Sequence, residues 1–487
     1  MGLPPENDPG FRVPTTLEEA LVVIARLVEV NLRLQARVEE LERQLGQNSQ
    51  NSSRPPSSDP PSVSRREKKK SGRKPGGQPG HKGHQRELLS PERVDKVVEV
   101  WPDHCEGCHA DLPARLRTEV GEPERHQVSE IPELRAEVTE FRLHSQVCTP
   151  CGWATTAELP DGVPTGAFGP RLQGILATLS GYYRLSKRSV REALADLFGV
   201  PISTGSVVAC EQRTSEVLRA AVEEARRYVE QQSVVHADET GWREKLKRAW
   251  LWVAGTALVV VFLIHPRRNG EAAKKLLRGF AGVLVVDRWS AYRGHQGRRQ
   301  LCWSHLLRDF EGMAGYSARA GEIGADLVKK TKAVLRYFRR VRDGTITRAH
   351  FKERTAARRG EIEMLILEGA ECAQSKVAGS CNDIWRQHES LWTFVDVDGV
   401  DPTNNFGERI LRPGVLYRKG CFGTHSEGGS RFVERMLTVG TTLRLQGRSV
   451  VDYVVASCER ALQKKRPLSL LPGRSHVVPA SCARAAA

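Results

Sequence analysis

Two short apolar runs in the middle of the chain each end on an aspartate. Residues 234–237 precede Asp238, and residues 282–286 precede Asp287. Runs of this kind are typical of buried strands that deliver their last side chain to the edge of a sheet. Either aspartate alone would most often be a turn former or a helix cap. Two of them in one sheet are less easily explained in that way and indicate a pair of carboxylates available for chemistry.

Two glutamates extend this acidic set. Glu408 lies in a turn followed by a short helix, residues 401–413, and its alternative role is an ion pair with Arg412 at helical spacing. Glu239 directly follows Asp238, so in a continuing strand its side chain points to the opposite face. We therefore expect Glu239 to lie outside any site that Asp238 forms.

The cysteines indicate a second kind of site. Of the eleven in the chain, four form two Cys-x-x-Cys pairs, and the odd total does not suggest a disulfide framework. Each pair places two sulfurs on one tight turn, which suits tetrahedral zinc, although the separation of the pairs exceeds the commonest zinc-ribbon spacing. A redox dithiol is the alternative, but it would not need a second copy. The predicted zinc ligands are Cys105, Cys108, Cys148 and Cys151.

Several residues near these motifs have ligand-like chemistry. His104 and His109 adjoin the first cysteine pair and are expected to be ordinary surface residues, because four sulfurs complete a zinc shell. Cys302 and His305 also have the spacing of metal ligands but no visible partners. We expect these two residues to pack the core or position a substrate rather than to bind a second zinc ion.

The charge of the chain indicates a polyanionic partner. Its 487 residues are enough for several domains, and the net charge is +16, which favours nucleic acid as the partner. Residues 48–61 are rich in Ser, Pro and Asn, and a basic arm follows that cannot bury a core. A solvated linker is the alternative. The cations of the arm expected to contact phosphate are Arg65, Arg66, Lys68, Lys69, Lys70, Arg73 and Lys74.

The expected compartment follows from what the sequence lacks. The first 14 residues contain no basic segment followed by an apolar stretch, so we expect no secretory signal. The most apolar run, residues 250–264, is too short for a membrane helix of roughly 20 residues, and a two-stranded hairpin explains it better. Together with the cysteine pattern, this favours a reducing cytoplasm.

The N-terminal segment has the repeat of a coiled coil. From Leu17 to Leu45, apolar residues recur with alternating steps of three and four, with Asn31 at one core position. This pattern favours two parallel helices, and the buried Asn would fix their register. The alternative is an amphipathic helix packed on its own domain.

The middle of the chain divides into a helical part and an α/β part. A helix over 187–198 ends at Gly199, and Ser203 or Thr204 could cap the next helix. This outline is shared by helix-turn-helix motifs and by many other helical domains, although Arg188 and its basic neighbours suit contact with DNA. Strands, a hairpin and a helix then predict an α/β core.

The expected boundaries are a coiled coil at 15–46, a disordered basic linker at 47–90, a zinc-binding domain at 91–160, a helix-turn-helix-like domain at 165–230, an α/β domain at 231–464 with a helical insertion at about 306–395, and a disordered tail at 465–487.

Taken together, these features resemble the large transposases of bacterial insertion sequences of the "sixty-six" type, within the DDE group. The resemblance covers most of the chain, although Thr403 stands where the family often has an acidic residue, and the segment 418–423 is shorter than usual. The segments that carry it are the zipper, the stretch from Asn51, the arm at 73–84, the cysteine pairs, residues 236–242, 287–292 and 302–305, Asn404-Asn405, and Glu408-Arg409.

This resemblance implies a ribonuclease-H-like catalytic domain in a dimeric protein associated with the bacterial nucleoid. It implies that Asp238, Asp287 and Glu408 hold two magnesium or manganese ions for DNA cleavage and strand transfer at the ends of the element, with zinc as a structural ion. A catalytically inert zinc-containing DNA-binding protein and a hydrolytic nuclease are the alternatives. The cations suited to phosphate contacts near the site are Arg409, Arg412, Arg418 and Lys419.

Overall fold

A computed structural model describes residues 14–45, 86–116 and 120–473. Residues 65–74, where seven phosphate contacts are predicted, lie outside these ranges. Of the described residues, 86–116 and 120–137 belong to one compact unit, and the others belong to a second unit. The boundary falls inside the predicted zinc-binding domain, so the two cysteine pairs lie in different units.

The first helix, α1 (Leu17–Leu45), confirms the helical prediction for the N-terminal repeat. Ile24, Leu27 and Leu34 of the predicted seam are each more than half exposed. Exposed apolar side chains at heptad spacing are what a helix that pairs with a second copy would present. The pairing itself remains a prediction.

The segment from 86 to 160 has little regular structure. Short 3₁₀ turns form at Pro91–Arg93 and Ala114–Leu116. Strands β1 (Ser145–Val147) and β2 (Ala154–Thr156) form an antiparallel hairpin with Cys148 and Cys151 at its tip.

Three helices follow, and the end of the second and the start of the third agree with the sequence signals. They are α2 (Pro170–Gly181), α3 (Lys187–Phe198) and α4 (Thr204–Glu230). The hydroxyl of Ser186 accepts a hydrogen bond from the Ser189 N–H, and Ser203 caps α4 in the same way. Gly199 ends α3 with a φ of 65°, a conformation that glycine adopts without strain.

The α/β core is one five-stranded sheet. Its order is β5-β4-β3-β6-β7, in which β3, β4 and β5 are antiparallel and β6 and β7 run parallel to β3. The strands are β3 (Val234–Glu244), β4 (Lys247–Gly255), β5 (Val260–His265), β6 (Val283–Val286) and β7 (Arg299–Leu301), and the helix α5 (Gly270–Leu277) precedes β6.

The prediction that the first strand ends at Asp238 is wrong. Strand β3 continues six residues further, because β4 pairs with it from Asp238 opposite Val253 to Glu244 opposite Lys247. Trp242 is buried in this extension. The polar residues after Asp238 therefore interrupt the apolar pattern without ending the strand.

Helices cover the sheet and form a separate insertion. The insertion has its own apolar core, which includes Trp303, Phe310 and Phe351. Its helices are α6 (Trp303–Met313), α7 (Ala318–Arg342), α8 (Arg348–Glu371), α9 (Ser375–Trp385) and α10 (Thr393–Asp396), with a 3₁₀ turn at His388–Leu391. The chain then returns through α11 (Asn405–Cys421), α12 (Glu427–Leu445) and α13 (Val450–Leu462).

The described part of the predicted disordered tail is packed. Leu470 is fully buried in the main core, and its carbonyl accepts a hydrogen bond from the Gln446 side chain. Residues 465–473 contain no helix or strand, which is why periodicity gave no signal there. In the part of the chain that the structure describes, none of the helices combines the length and apolar character required to cross a membrane.

Candidate active site

The two strand aspartates lie at the same level of the sheet. Strands β3 and β6 are parallel, and their last paired residues are His236 and Val285. Asp238 and Asp287 each follow two residues later, so they stand in register where the two strands cease to pair. This geometry places both carboxylates at one opening in the sheet, as the sequence predicted.

Asn404 fixes the helix that carries the third carboxylate to this opening. Its side-chain amide donates to the Ala237 carbonyl at 2.7 Å, its Oδ1 lies 3.0 Å from His236 Nδ1, and its backbone N–H donates to Cys302 Sγ at 3.0 Å. A Cβ at Gly407 would come within 2.5 Å of the Asn404 Oδ1. The start of α11 is therefore held tightly against β3, and Cys302 has the packing role expected for it.

The three predicted catalytic carboxylates influence one another electrostatically. Burial raises the pKa of Asp238 well above its ordinary value, and the negative charges of Asp287 and Glu408 contribute to this rise, as does Glu239. Burial also raises the pKa of Asp287 and of Glu408. Three carboxylates that disfavour one another's ionisation form a region of concentrated negative charge.

In the described part of the chain, the two aspartates accept backbone hydrogen bonds and form no ion pairs. The Asp238 carboxylate accepts a hydrogen bond from the Glu239 N–H at 2.8 Å, and the Asp287 carboxylate accepts one from the Trp289 N–H at 3.0 Å. Among the described residues, neither aspartate lies within ion-pair distance of a Lys or Arg side chain, although the charges of Arg268 and Arg288 act on Asp287 from further away.

Glu408 faces the insertion helix α6 rather than Arg412. Its carboxylate lies 3.6 Å from Arg308 Nη2 and 3.7 Å from His305 Nε2, and its side chain is 45% exposed. Burial, with the charge of Arg308, lowers the pKa of His305 to about 3, so this imidazole is neutral at pH 7. Arg308 is therefore the cation that holds Glu408 in this position.

The donor chemistry of the site fits magnesium. Three carboxylates supply the hard oxygen ligands that this ion prefers, and no Lys or Arg within the described ranges forms an ion pair with Asp238 or Asp287. In the conformation of the described residues, no three His, Cys, Asp or Glu side chains are close enough together to hold a metal ion.

Glu239 has partners of its own, and its exclusion from the metal ligands stays a prediction. The Arg268 guanidinium donates to the buried Glu239 carboxylate at 2.7 and 2.9 Å, and the Tyr292 hydroxyl donates to its second oxygen. Arg268 also lies over the ring of Trp289 at 3.9 Å and near that of Trp250. Burial, with the charge of Asp287, raises the pKa of Glu239 to about 7 despite these partners.

Sequence reasoning missed Arg268 and Arg308. Nothing in their local sequence marks them, because each meets its partner only through the fold. Tyr292 lies in the segment 287–292 that contributed to the resemblance, but its contact with Glu239 could not be predicted.

The cysteine pairs have local geometry suited to thiolates. The backbone N–H groups of Cys108 and Gly107 point at the Cys105 sulfur and lower its pKa. In the other pair, the backbone N–H of Trp153 has the same effect on the pKa of Cys151. Thiolates are the form in which cysteine binds zinc. His104 contacts Asp111 at 3.1 Å on the surface, which is consistent with its exclusion from the ligand set.

The predicted phosphate contacts outside the basic arm differ in accessibility. Arg188, Arg409, Arg412 and Lys419 are exposed. Arg418 is half-buried and donates to the Gly241 carbonyl in β3 at 3.2 Å. It therefore supports the strand and is less available to DNA than the other four.

Comparisons with known proteins give the family. The sequence model of the transposase IS66 family matches residues 166–431, more than half of the chain. Residues 6–87 match a family of unknown function, DUF6444.

Two uncharacterized proteins of Sinorhizobium fredii are similar. One, y4qI, is 25% identical over 243 residues, which cover 45% of this chain and 45% of y4qI. The other, y4hP, is 24% identical over 394 residues, which cover 72% of this chain and 69% of y4hP. The chain thus spans less than half the length of the first relative and about two thirds of the second.

Proposed function

The chain belongs to the IS66 transposase family, and on that premise we propose that it is a DDE-type transposase that binds the ends of its insertion sequence and catalyses metal-dependent DNA cleavage and strand transfer. The observation that carries this proposal is the pair of aspartates in register at the opening between β3 and β6. The mixed order of the sheet supports a ribonuclease-H-like catalytic domain.

Asp238, Asp287 and Glu408 would hold two magnesium or manganese ions. When bound, such ions activate the attacking oxygen and stabilise the leaving oxygen of an in-line displacement at phosphorus. The fold contributes position: the sheet fixes the two aspartates, and Asn404 fixes the start of the helix that bears Glu408. Among the described residues neither aspartate pairs with a Lys or Arg, so their negative charge would attract divalent cations to this position.

The surrounding cations would hold the DNA backbone. Arg409 and Arg412 lie on the helix that carries Glu408 and are exposed, so they are placed to contact phosphates next to the reacting one. Arg308, which lies 3.6 Å from the Glu408 carboxylate, would contact phosphate when Glu408 binds metal.

The other parts of the chain would assemble the complex. Pairing of α1 with a second copy would bring two active sites to two element ends. Structural zinc held by Cys105, Cys108, Cys148 and Cys151 would order the region between the basic arm and the helices. The basic arm and Arg188 would add phosphate contacts without reading sequence.

The test is joining of an element end to target DNA. Purified full-length protein, a duplex that carries the terminal sequence of its element, and Mg²⁺ should give joined products, and a chelator should prevent their formation. Asp287→Asn and Glu408→Gln should abolish joining while end binding remains within about threefold, because neither removes a phosphate-binding cation. Arg267→Met, an exposed arginine away from the carboxylates, is the control variant and should join normally.

Other products would favour the alternatives. Nicks without joined strands would indicate a hydrolytic nuclease of the same fold. DNA binding without either product, unchanged by the carboxylate variants, would indicate an inert DNA-binding protein.

A further inference from the structure

The insertion carries a row of cations along one side of α7. We call Lys329, Lys332, Arg336, Arg339 and Arg340 the α7 basic stripe. Their spacing places all five within about 100° of the helix circumference, and all five are exposed. The stripe extends over about 16 Å of helix.

The opposite side of α7 is fixed by packing. Leu327 and Val334 are fully buried in the core of the insertion, and Thr331 lies between them on the same face. The helix therefore cannot rotate to hide the stripe without exposing its apolar side chains. The stripe is a permanent surface of the insertion.

Most of the positive charge on the stripe is not compensated. Lys332 contacts Glu311 at 2.9 Å, whereas the other four stripe residues make no ion pair among the described residues. Residues 327–342 contain no Asp or Glu. Like charges at i and i+4, such as Arg336 and Arg340, are mutually unfavourable in a helix. A merely solvated face would be expected to mix the two signs, so the stripe indicates an anionic partner.

Helix α7, which carries the stripe, packs against α6, the helix that bears Arg308 and His305. Gly324 of α7 packs against Ala314 at the end of α6, and Lys332 meets Glu311 one turn earlier in α6. Helix α7 therefore runs antiparallel to α6, toward the end of α6 that bears Arg308 and His305. Along α7, the later residues of the stripe therefore lie toward the end of α6 that contacts Glu408.

The insertion is also tied to the loop after Asp287. Arg288, the next residue, contacts Asp309 of α6 at 2.7 Å and Asp383 of α9 at 2.9 Å. These ion pairs are half-buried and bridge separate elements, so the insertion is held against the end of β6. A partner bound along α7 would therefore have a defined position relative to the two aspartates.

We propose that the α7 basic stripe binds the phosphate backbone of the double-stranded DNA whose strand enters the active site. Its length is sufficient to contact more than one phosphate of a strand, and arginine side chains suit bidentate contact with phosphate. The contact is independent of base sequence, because the stripe presents only cations. This inference rests on the proposed function, since it takes DNA as the substrate of that site.

The test compares two variants with the same loss of charge. In the stripe variant, Arg336→Gln, Arg339→Gln and Arg340→Gln are combined. In the control variant, Arg227→Gln, Lys275→Gln and Arg386→Gln remove three exposed cations from α4, α5 and the end of α9. The dissociation constant for a short duplex of arbitrary sequence is measured for the full-length proteins over a series of salt concentrations, with the thermal midpoint as a check of folding.

We expect the stripe variant to bind at least about tenfold more weakly than the wild type at low salt. The slope of log affinity against log salt should become shallower by about two to three, because each lost phosphate contact removes about 0.9. The control variant should change the slope by less than about one. Equal slopes for the two variants would overturn the proposal.

Failure of this inference is separable from failure of the proposed function. If the wild type gives no joined product but the stripe variant alone loses the salt-dependent affinity, the stripe binds DNA and the transposase proposal fails. If the wild type joins DNA and the two variants have equal slopes, the transposase proposal stands and the stripe does not contact the DNA.

Discussion

Two neighbouring carboxylates, Asp238 and Glu239, lie on opposite faces of β3 and have different surroundings. Glu239 is buried against Arg268 and Tyr292, which supply a cation and a hydrogen-bond donor. Asp238, the preceding residue, is influenced by the negative charges of Asp287 and Glu408, and no Lys or Arg of the described residues lies within ion-pair distance of it. Both acids have a raised pKa, so burial alone does not distinguish a structural acid from a functional one. The two acids differ in their partners: among the described residues Glu239 pairs with Arg268, whereas no Lys or Arg side chain lies within ion-pair distance of Asp238, which is what the proposed role in binding a cation requires.

The sharpest way to break this comparison is to neutralise each acid in turn. We expect Asp238→Asn to reduce strand transfer by at least about 1,000-fold without lowering the thermal midpoint, because it removes like-charge repulsion. We expect Glu239→Gln to lower the free energy of unfolding by about 2 kcal/mol, because it weakens a buried charge-assisted contact. Joining by Glu239→Gln, measured well below its midpoint, should remain within about tenfold of the wild type. The comparison fails if Glu239→Gln abolishes strand transfer and Asp238→Asn instead lowers the stability.

Removing the counter-charge of Glu239 should cost more than neutralising Glu239. Arg268→Met leaves a carboxylate buried without its cation and removes the stacking on Trp289, so we expect a loss of about 4 kcal/mol in the free energy of unfolding. Arg267→Met is the matched control. Its side chain is 69% exposed and pairs with Glu271 on the surface, so the expected loss is below about 1 kcal/mol. Chemical denaturation of the two variants provides the measurement, and similar losses would show that Arg268 does not support a buried charge.

A compensated carboxylate away from the site should respond to pH. Glu434 is buried beside Arg431, which lies 2.9 Å away, and accepts a hydrogen bond from the Ile264 N–H. Burial raises its pKa to about 7 from an ordinary value of 4.5. The folded state thus favours the protonated acid, and this contribution is complete below pH 4.5 and is lost as pH rises through about 7.

The pH dependence should be smaller in Glu434→Gln. The loss of stability in the wild type over this range is at most about 3 kcal/mol from this group. Urea unfolding at several pH values between 4.5 and 8 should show the wild type losing stability relative to the variant as the pH rises. Parallel pH profiles for the two proteins would refute the role assigned to Glu434.

The smallest expected effect is stabilisation by metal. Magnesium at about thirty times its dissociation constant should raise the free energy of unfolding by about 2 kcal/mol, because it binds only the folded site. Asp238→Asn should lose this increment, whereas Arg267→Met should retain it. Thermal midpoints with Mg²⁺ and with a chelator give the comparison. If Mg²⁺ stabilises Asp238→Asn by the same amount, the cation binds at another site.

Local signals were sufficient to predict several elements and their ends. Gly199 marks the end of α3 and Ser203 the start of α4, and the structure confirms both because capping depends on neighbouring backbone groups. The two aspartates could be singled out for a similar reason, since in each case an apolar run is followed directly by an acid, although β3 itself continues beyond Asp238. Glu239 was placed on the correct face from the alternation of side chains in a strand.

Contacts between distant segments could not be predicted. The sequence after Asp238 loses its apolar pattern, yet β4 supplies the backbone partners that extend β3 to Glu244. Arg268, Arg308 and Arg288 decide the electrostatics around the carboxylates, but each meets its partners only after folding. Leu470 is buried although its segment has no periodicity, because its hydrogen bond and packing come from the helices before it.

The most direct test of the active site is the position of divalent cations in crystals of the full-length protein soaked in Mn²⁺. We predict anomalous scattering from manganese between the carboxylates of Asp238 and Asp287, with Glu408 turned away from Arg308 toward the ion. Asp238→Asn crystals should lack this signal. Manganese bound elsewhere, or no manganese at the opening between β3 and β6 under conditions that support strand transfer, would contradict a site built from these three acids.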